Sequence, residues 1–194
     1  MKVSAYMHRD PVTLVAEAPL SEVKRVMEEN GFGLLLIVDG EGGLKGFITK
    51  GALKGVTNWE EPAEKLVCEA RFAVSPDDTL EKAALILIKN RLALVPVVDG
   101  QRLIGVISQG EILAALTRAL GIGLEATRLT VRVRKDTDDL YRALAVLREH
   151  GAHLLSVAQD GQTETHRNMI LRVQGVADRE KLRQDLEAAL TGHE

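Results

Sequence analysis

A mixed α/β (α+β) fold follows from three features of this 194-residue chain. A helix–strand–strand–helix pattern is duplicated in residues 1 to 122, the patterning changes near residue 125, and a strand–helix–strand–strand–helix run closes the chain. Sliding the chain by about sixty positions lays Val12 to Gly40 over Phe72 to Gly100. One deleted turn residue then carries the match on to Leu53 and Ile112. Ten identities in about forty positions, including Val38-Asp39-Gly40 on Val98-Asp99-Gly100, mark a duplication.

The elements follow in order. PLSEVKRVMEEN and DDTLEKAALILIKN space their apolar residues for a helix, at Leu20, Val23, Val26 and Met27 and again at Leu80, Ala83, Ala84, Leu87 and Ile88. Pro19 suits the first helical turn, and Asp78 with Glu81 reads as a capping box. The branched runs LLLIVD and LVPVVD, a short glycine-bearing turn, and KGFIT or IGVIS make strand pairs. A last helix is expected from Lys50 in the first repeat and from Gln109 in the second.

From Glu125 onward TRLTVRVRK alternates as a strand with one wet face. DTDDLYRALAVLREHG is an amphipathic helix closed by Gly151, HLLSVAQ and RNMILRVQ are strands about a polar turn, and ADREKLRQDLEAAL is a second helix.

Composition narrows the function. Apolar residues at 45% support a packed core, and a net charge of −3 supplies no basic field for nucleic acid or an anionic membrane. Aromatics at 3% do not build base-stacking platforms. No apolar run is long enough for a bilayer, the stretch MKVSAYMHRDP has no secretory core, and the single Cys68 suits a reducing compartment, so a cytoplasmic protein is expected. No nucleophile, metal-ligand or dinucleotide motif is present, so neither a catalytic residue nor a required cofactor is expected. Asp136, Asp138 and Asp139 read as complements of a helix start rather than a cation site, and His150 and His153 as structural or solvent-facing.

The tandem repeats, with VDG between the strands and G-h-h-[ST]-x-G before the last helix, resemble the CBS domain pair, or Bateman module. The resemblance implies two repeats (1–60 and 61–122) packed into a pseudo-twofold unit whose clefts hold adenosine compounds such as AMP, ADP, ATP, NAD or S-adenosylmethionine. It also implies a homodimer and an unidentified regulated protein. The site it implies is Ser108, Gln109, Gly110 and Glu111, with a hydroxyl and helix amides for phosphate and an acid for the ribose, and Ala73, Val74, Val95 and Pro96 walling the adenine. In the first repeat Ala52 replaces the acid, leaving a weaker cleft with Thr13, Thr49, Lys50 and Gly51. Ser108 and Glu111 equally make a capping box that needs no ligand. Residues 126–194 resemble a ferredoxin-like ACT domain lacking its last strand, available for dimerisation or signal relay, though KDTDDL departs from the glycine-bearing amino-acid site of that family. The combination resembles acetoin-utilisation regulatory proteins. The function expected is a non-enzymatic sensor, and the alternative is an interaction module with empty clefts.

Overall fold

The computed structural model describes residues 1–191, which fall into two compact units, Met1–Leu113 and the chain from Ala114 onward. The first unit holds the duplication as two three-stranded sheets. One contains β2 (Thr13–Val15), parallel to β3 (Leu34–Val38), which pairs antiparallel with β4 (Leu44–Thr49). The other runs β1 (His8–Arg9), β6 (Arg102–Ser108), β5 (Leu94–Asp99), antiparallel throughout. The registers agree residue for residue: Leu35 opposes Ile48 as Val95 opposes Ile107, and both hairpins shift register at matching valines, Val38 and Val98.

Each sheet buries its apolar face under the preceding helix. Leu20, Val23 and Met27 of α1 (Leu20–Asn30) join Leu35, Ile37 and Ile48, while Ala83 and Leu87 of α2 (Leu80–Asn90) join Val95, Val97 and Ile107. Fully burying one such side chain contributes about 1.5 to 3 kcal/mol.

The repeats also exchange their leading segments. Val3 and Met7 pack into the second core and β1 pairs with β6, whereas Ala63 enters the first core and Cys68 bridges to Phe47 of β4. These crossings explain the glycine of each G-h-h-[ST] stretch. A side chain at Gly46 would overlap the Cys68 carbonyl oxygen, and one at Gly105 would come within 2.8 Å of the His8 carbonyl oxygen.

Three local expectations are corrected. The helix expected from Lys50 is a single 3-10 turn, Ala52–Gly55, whereas its twin is the α-helix α3 (Gln109–Ala119). GALKG runs straight into Val56, Thr57 and Asn58, poor helix formers, while GEILAALTRA is rich in good ones. The N-cap of α2 is Thr79, whose hydroxyl accepts from the Lys82 amide at 3.2 Å; Asp78 instead accepts from the Ser75 amide at 2.9 Å. Pro19 stands at the N-cap of α1, one residue before the first turn.

In the second unit β7 (Thr127–Arg134), β9 (His166–Gln174) and β8 (His153–Gln162) form an antiparallel sheet in that order. The helices α4 (Asp139–Glu149) and α5 (Arg179–Thr191) contribute Ala143, Leu147, Leu182 and Leu186 to one core with Val131, Val133, Leu171 and Val173. This is the expected β-α-β-β-α order with three strands, and β7 has no partner on its outer edge among the described residues.

Candidate functional site

Two cavities lie between the repeats of the first unit, and they are pseudo-symmetric twins. The smaller, about 190 Å³, is lined by His8, Pro11, Val12, Phe32, Leu34, Leu36, Leu94 and Val106. Applying the repeat offset to these gives Cys68, Arg71, Phe72, Leu92, Leu94, Pro96, Leu34 and Phe47, and all eight line the larger cavity of about 460 Å³. That cavity adds Leu36, Glu69, Ala70, Arg91 and Ala93. The walls are mainly leucine and aromatic, presented by β3, β4 and β5 and by the stretch before each repeat's helix.

Because the leading segments are exchanged, each cavity joins one repeat's turn to the other's lead-in. Val106, two residues before Ser108, lines the small cavity together with His8. Phe47, two residues before Thr49, lines the large one with Cys68 to Phe72. The expected grouping of Ser108 and Glu111 with Ala73, Val74, Val95 and Pro96 is therefore divided. Pro96 lines the large cavity, and Ala73 follows its wall residue Phe72. Val74 and Val95, 1% and 0% exposed, point into the second core and offer no surface to a ligand. Thr13 lies on β2 opposite Leu36, half-buried, next to Val12 of the small cavity. Lys50 lines a separate outer cavity of about 290 Å³ with Lys24, Lys54 and Trp59, where the Lys24 ammonium sits 4.8 Å from the Trp59 ring centre.

At the turn of the second repeat the capping box is closed. The Ser108 amide donates to Glu111 Oε2 at 2.8 Å, the Ser108 hydroxyl donates to the same oxygen, and the Gly110 amide donates to Ser108 Oγ at 3.0 Å. Gln109 turns away and donates to the Leu92 carbonyl at 3.2 Å. Burial pushes the Glu111 carboxyl upward, but the Ser108 hydroxyl and amide, its own amide and the charge of His8 outweigh that and hold it below the usual range. In the first repeat Thr49 Oγ1 accepts from the Ala52 amide at 3.2 Å, with Gly51 exposed between them and no carboxylate to follow.

The sequence reading missed the lead-in residues Glu69, Arg71 and Phe72, and Arg91 at the end of α2. A signal was present: Arg91 occupies the position of Gly31 in the twin and, like it, takes a left-handed conformation, φ 52° against 68°.

In the second unit the acids of KDTDDL do not form a cation site. Asp139, 1% exposed, accepts from the Arg134 amide at 3.0 Å, from Nε at 2.9 Å and from a terminal guanidinium nitrogen at 3.0 Å. These hydrogen bonds, against the opposing effect of burial, hold its carboxyl far below the usual range. His150 Nε2 lies 2.8 Å from Asp185 Oδ2, tying α4 to α5, and His153 is exposed. No metal-binding cluster occurs among the described residues, and no helix among them is long and apolar enough to cross a membrane.

The duplication, the exchanged leading segments and the paired inter-repeat clefts together define a tandem-repeat α/β module. The CBS domain model matches residues 3–56 and 66–118, so the chain belongs to the CBS domain family. A CBS domain pair/ACT domain protein from Thermotoga maritima is 26% identical, matched over 62% of this chain and 99% of that one, with a TM-score of 0.57. A structure described as a putative acetoin utilization protein from Vibrio cholerae is 25% identical over 60% of this chain and 90% of that one, TM-score 0.55. A structure of CBSX2 in complex with AMP shares the fold at 19% identity, covering 59% and 95% of the two chains, TM-score 0.54. Among curated proteins, an A-adding tRNA nucleotidyltransferase from Aquifex aeolicus is 30% identical over 62% of this chain, and an uncharacterized 33.4 kDa protein from Thermofilum pendens is 24% identical over 87%. The chain spans 15% and 63% of their respective lengths.

Proposed function

We propose that this CBS pair is the sensing part of a cytoplasmic regulatory protein and binds an adenosine-containing ligand between its repeats. The observation that carries the reading is the large cavity. Its volume of about 460 Å³ falls within the roughly 300 to 1,000 Å³ of small-molecule sites, and its mainly apolar walls include Glu69, Arg71 and Arg91. The AMP complex of a protein of the same fold supports the ligand class. A ligand touching both repeats favours one arrangement of the pair over another, by its difference in affinity for the two. The role is regulatory rather than catalytic, and the C-terminal unit acts as an ACT-like element for dimerisation or relay to a regulated protein.

The small cleft is a conditional second site. Ser108 occupies Glu111 Oε2, so the cap competes with a ribose for that oxygen. That closed cap, with Ala52 in the other repeat, also supports a second reading in which both clefts stay empty and the pair is an interaction module.

Thermal unfolding against AMP, ADP, ATP, NAD and S-adenosylmethionine separates the two. A ligand at a hundredfold excess over its dissociation constant adds about 2.7 kcal/mol, a rise of several degrees. No shift with any of the five would favour the interaction module.

A further inference from the structure

The two clefts are pseudo-symmetric in lining but differ in charge: Glu69, Arg71 and Arg91 line the large one, whereas no acid, lysine or arginine lines the small one. Where the small cleft has Pro11, the large one has Arg71; where α1 ends in Gly31, α2 ends in Arg91. Neither guanidinium has a carboxylate partner among the described residues, although both line a mainly apolar cavity. Arg91 is moreover kept in a left-handed conformation that glycine adopts freely and an L side chain adopts at a cost. The left-handed residue is what α2 needs to end, as α1 does at Gly31, and arginine in place of glycine brings a positive charge to the cavity wall. The third charged group is Glu69, in the same lead-in, while Ala52 leaves the adjoining turn without an acid.

We infer that the large cleft is selective for phosphate-bearing nucleotides: Arg71 and Arg91 hold the phosphate chain, and Glu69 supplies the ribose acceptor that Ala52 lacks. This rests on the sensor reading and sharpens it. The turn below the cavity is one 3-10 turn, too short to supply the aligned amides of a helix start, so anion recognition passes to side chains. Guanidinium groups suit this, because they pair with phosphate in two parallel hydrogen bonds. Phe47 and Phe72 in the lining offer aromatic surface to the base. The same charge disfavours S-adenosylmethionine, whose sulfonium would face two cations.

Cys68, the single thiol of the chain and exposed, lines this cavity and serves as a reporter fixed in the site. The experiment follows its reaction with N-ethylmaleimide, an uncharged reagent, in the full-length chain with increasing ADP, adenosine, pyrophosphate or S-adenosylmethionine. The same series is run on Arg71→Gln and Arg91→Gly, with protection taken relative to each variant's own unliganded rate. Both side chains are exposed, and glycine relieves the backbone at position 91, so both variants should fold.

ADP is expected to protect Cys68 at the lowest concentration, with the midpoint rising about tenfold or more in either variant. Adenosine should protect more weakly and equally in all three proteins. Equal protection by ADP and adenosine, or an ADP midpoint unmoved by both substitutions, overturns the phosphate assignment and leaves the sensor reading standing. Failure of every compound to protect Cys68 overturns both for this cleft.

Discussion

The first and second repeats place their strands in the same register, shift at the same valine and exchange the same leading segments, yet they end in different turns and line different clefts. Apolar spacing is held in common because one core geometry serves both copies. The chemistry has diverged in short stretches at the margins of the cores: the lead-ins His8–Val12 and Cys68–Phe72, the helix ends at Gly31 and Arg91, and the turns after β4 and β6. In this pair, the duplicated scaffold says where a ligand can sit, and the unduplicated residues say which.

The comparison can be broken most severely at the crossings. Gly46→Ala should cost about 3 kcal/mol and lower Tm well below that of Gly105→Ala, because the first clash meets the Cys68 carbonyl head-on and the second leaves 2.8 Å. Parallel urea titrations read both, and equal losses would mean the two crossings are not as different as their geometry.

Carboxylates at helix starts come next. Asp139 is buried and receives three donors from Arg134, whereas Glu111 is half-buried and receives two from Ser108. Asp139→Asn should cost about 2 kcal/mol, below the 3 to 5 of a fully buried pair because the arginine reaches solvent. Glu111→Ala should cost about 1 kcal/mol, as for a lost cap. Both carboxyls titrate lower when folded than when unfolded, so their contribution is complete above the usual carboxylate range and fades as the pH falls through it. Unfolding followed from neutral to acidic pH should therefore steepen less on the acid side in Asp139→Asn than in the wild type.

The helix ends give the smallest effects. Thr79→Ala removes the hydroxyl cap of α2 and should cost about 1 kcal/mol, an effect with no counterpart at Pro19, whose side chain accepts nothing. Arg91→Gly should raise stability by about 0.5 to 1 kcal/mol, and Gly31→Arg should lower it by a similar amount. Opposite signs in thermal melts would support the strain at Arg91, and matching signs would remove it.

Much of the fold was legible in the residues. The helices at Leu20 and Leu80 and the valine-rich strands declare themselves by spacing, and the duplication places them relative to each other. The helix after Thr49 misled because GALK shares the apolar positions of GEIL, and only the weak formers beyond Gly55 cut it short. The site was less legible. The family resemblance sets Val74 and Val95 in a ligand wall with Ser108, but both are buried in the second repeat's own core, and segment exchange sends the stretch before them, Cys68 to Phe72, to the other repeat's turn. A lead-in such as CEARF has no periodicity to announce where it goes. Ser108 and Glu111 were ambiguous for a different reason, since a helix cap and a ribose clamp ask for the same two side chains.

Calorimetric titration of ADP into the 194-residue chain, with Arg91→Gly and Ser108→Ala alongside, decides whether the large cleft binds nucleotide through its arginines. Saturable binding that weakens about tenfold or more in Arg91→Gly is expected. Absence of binding, or binding indifferent to Arg91 and abolished in Ser108→Ala, would contradict it.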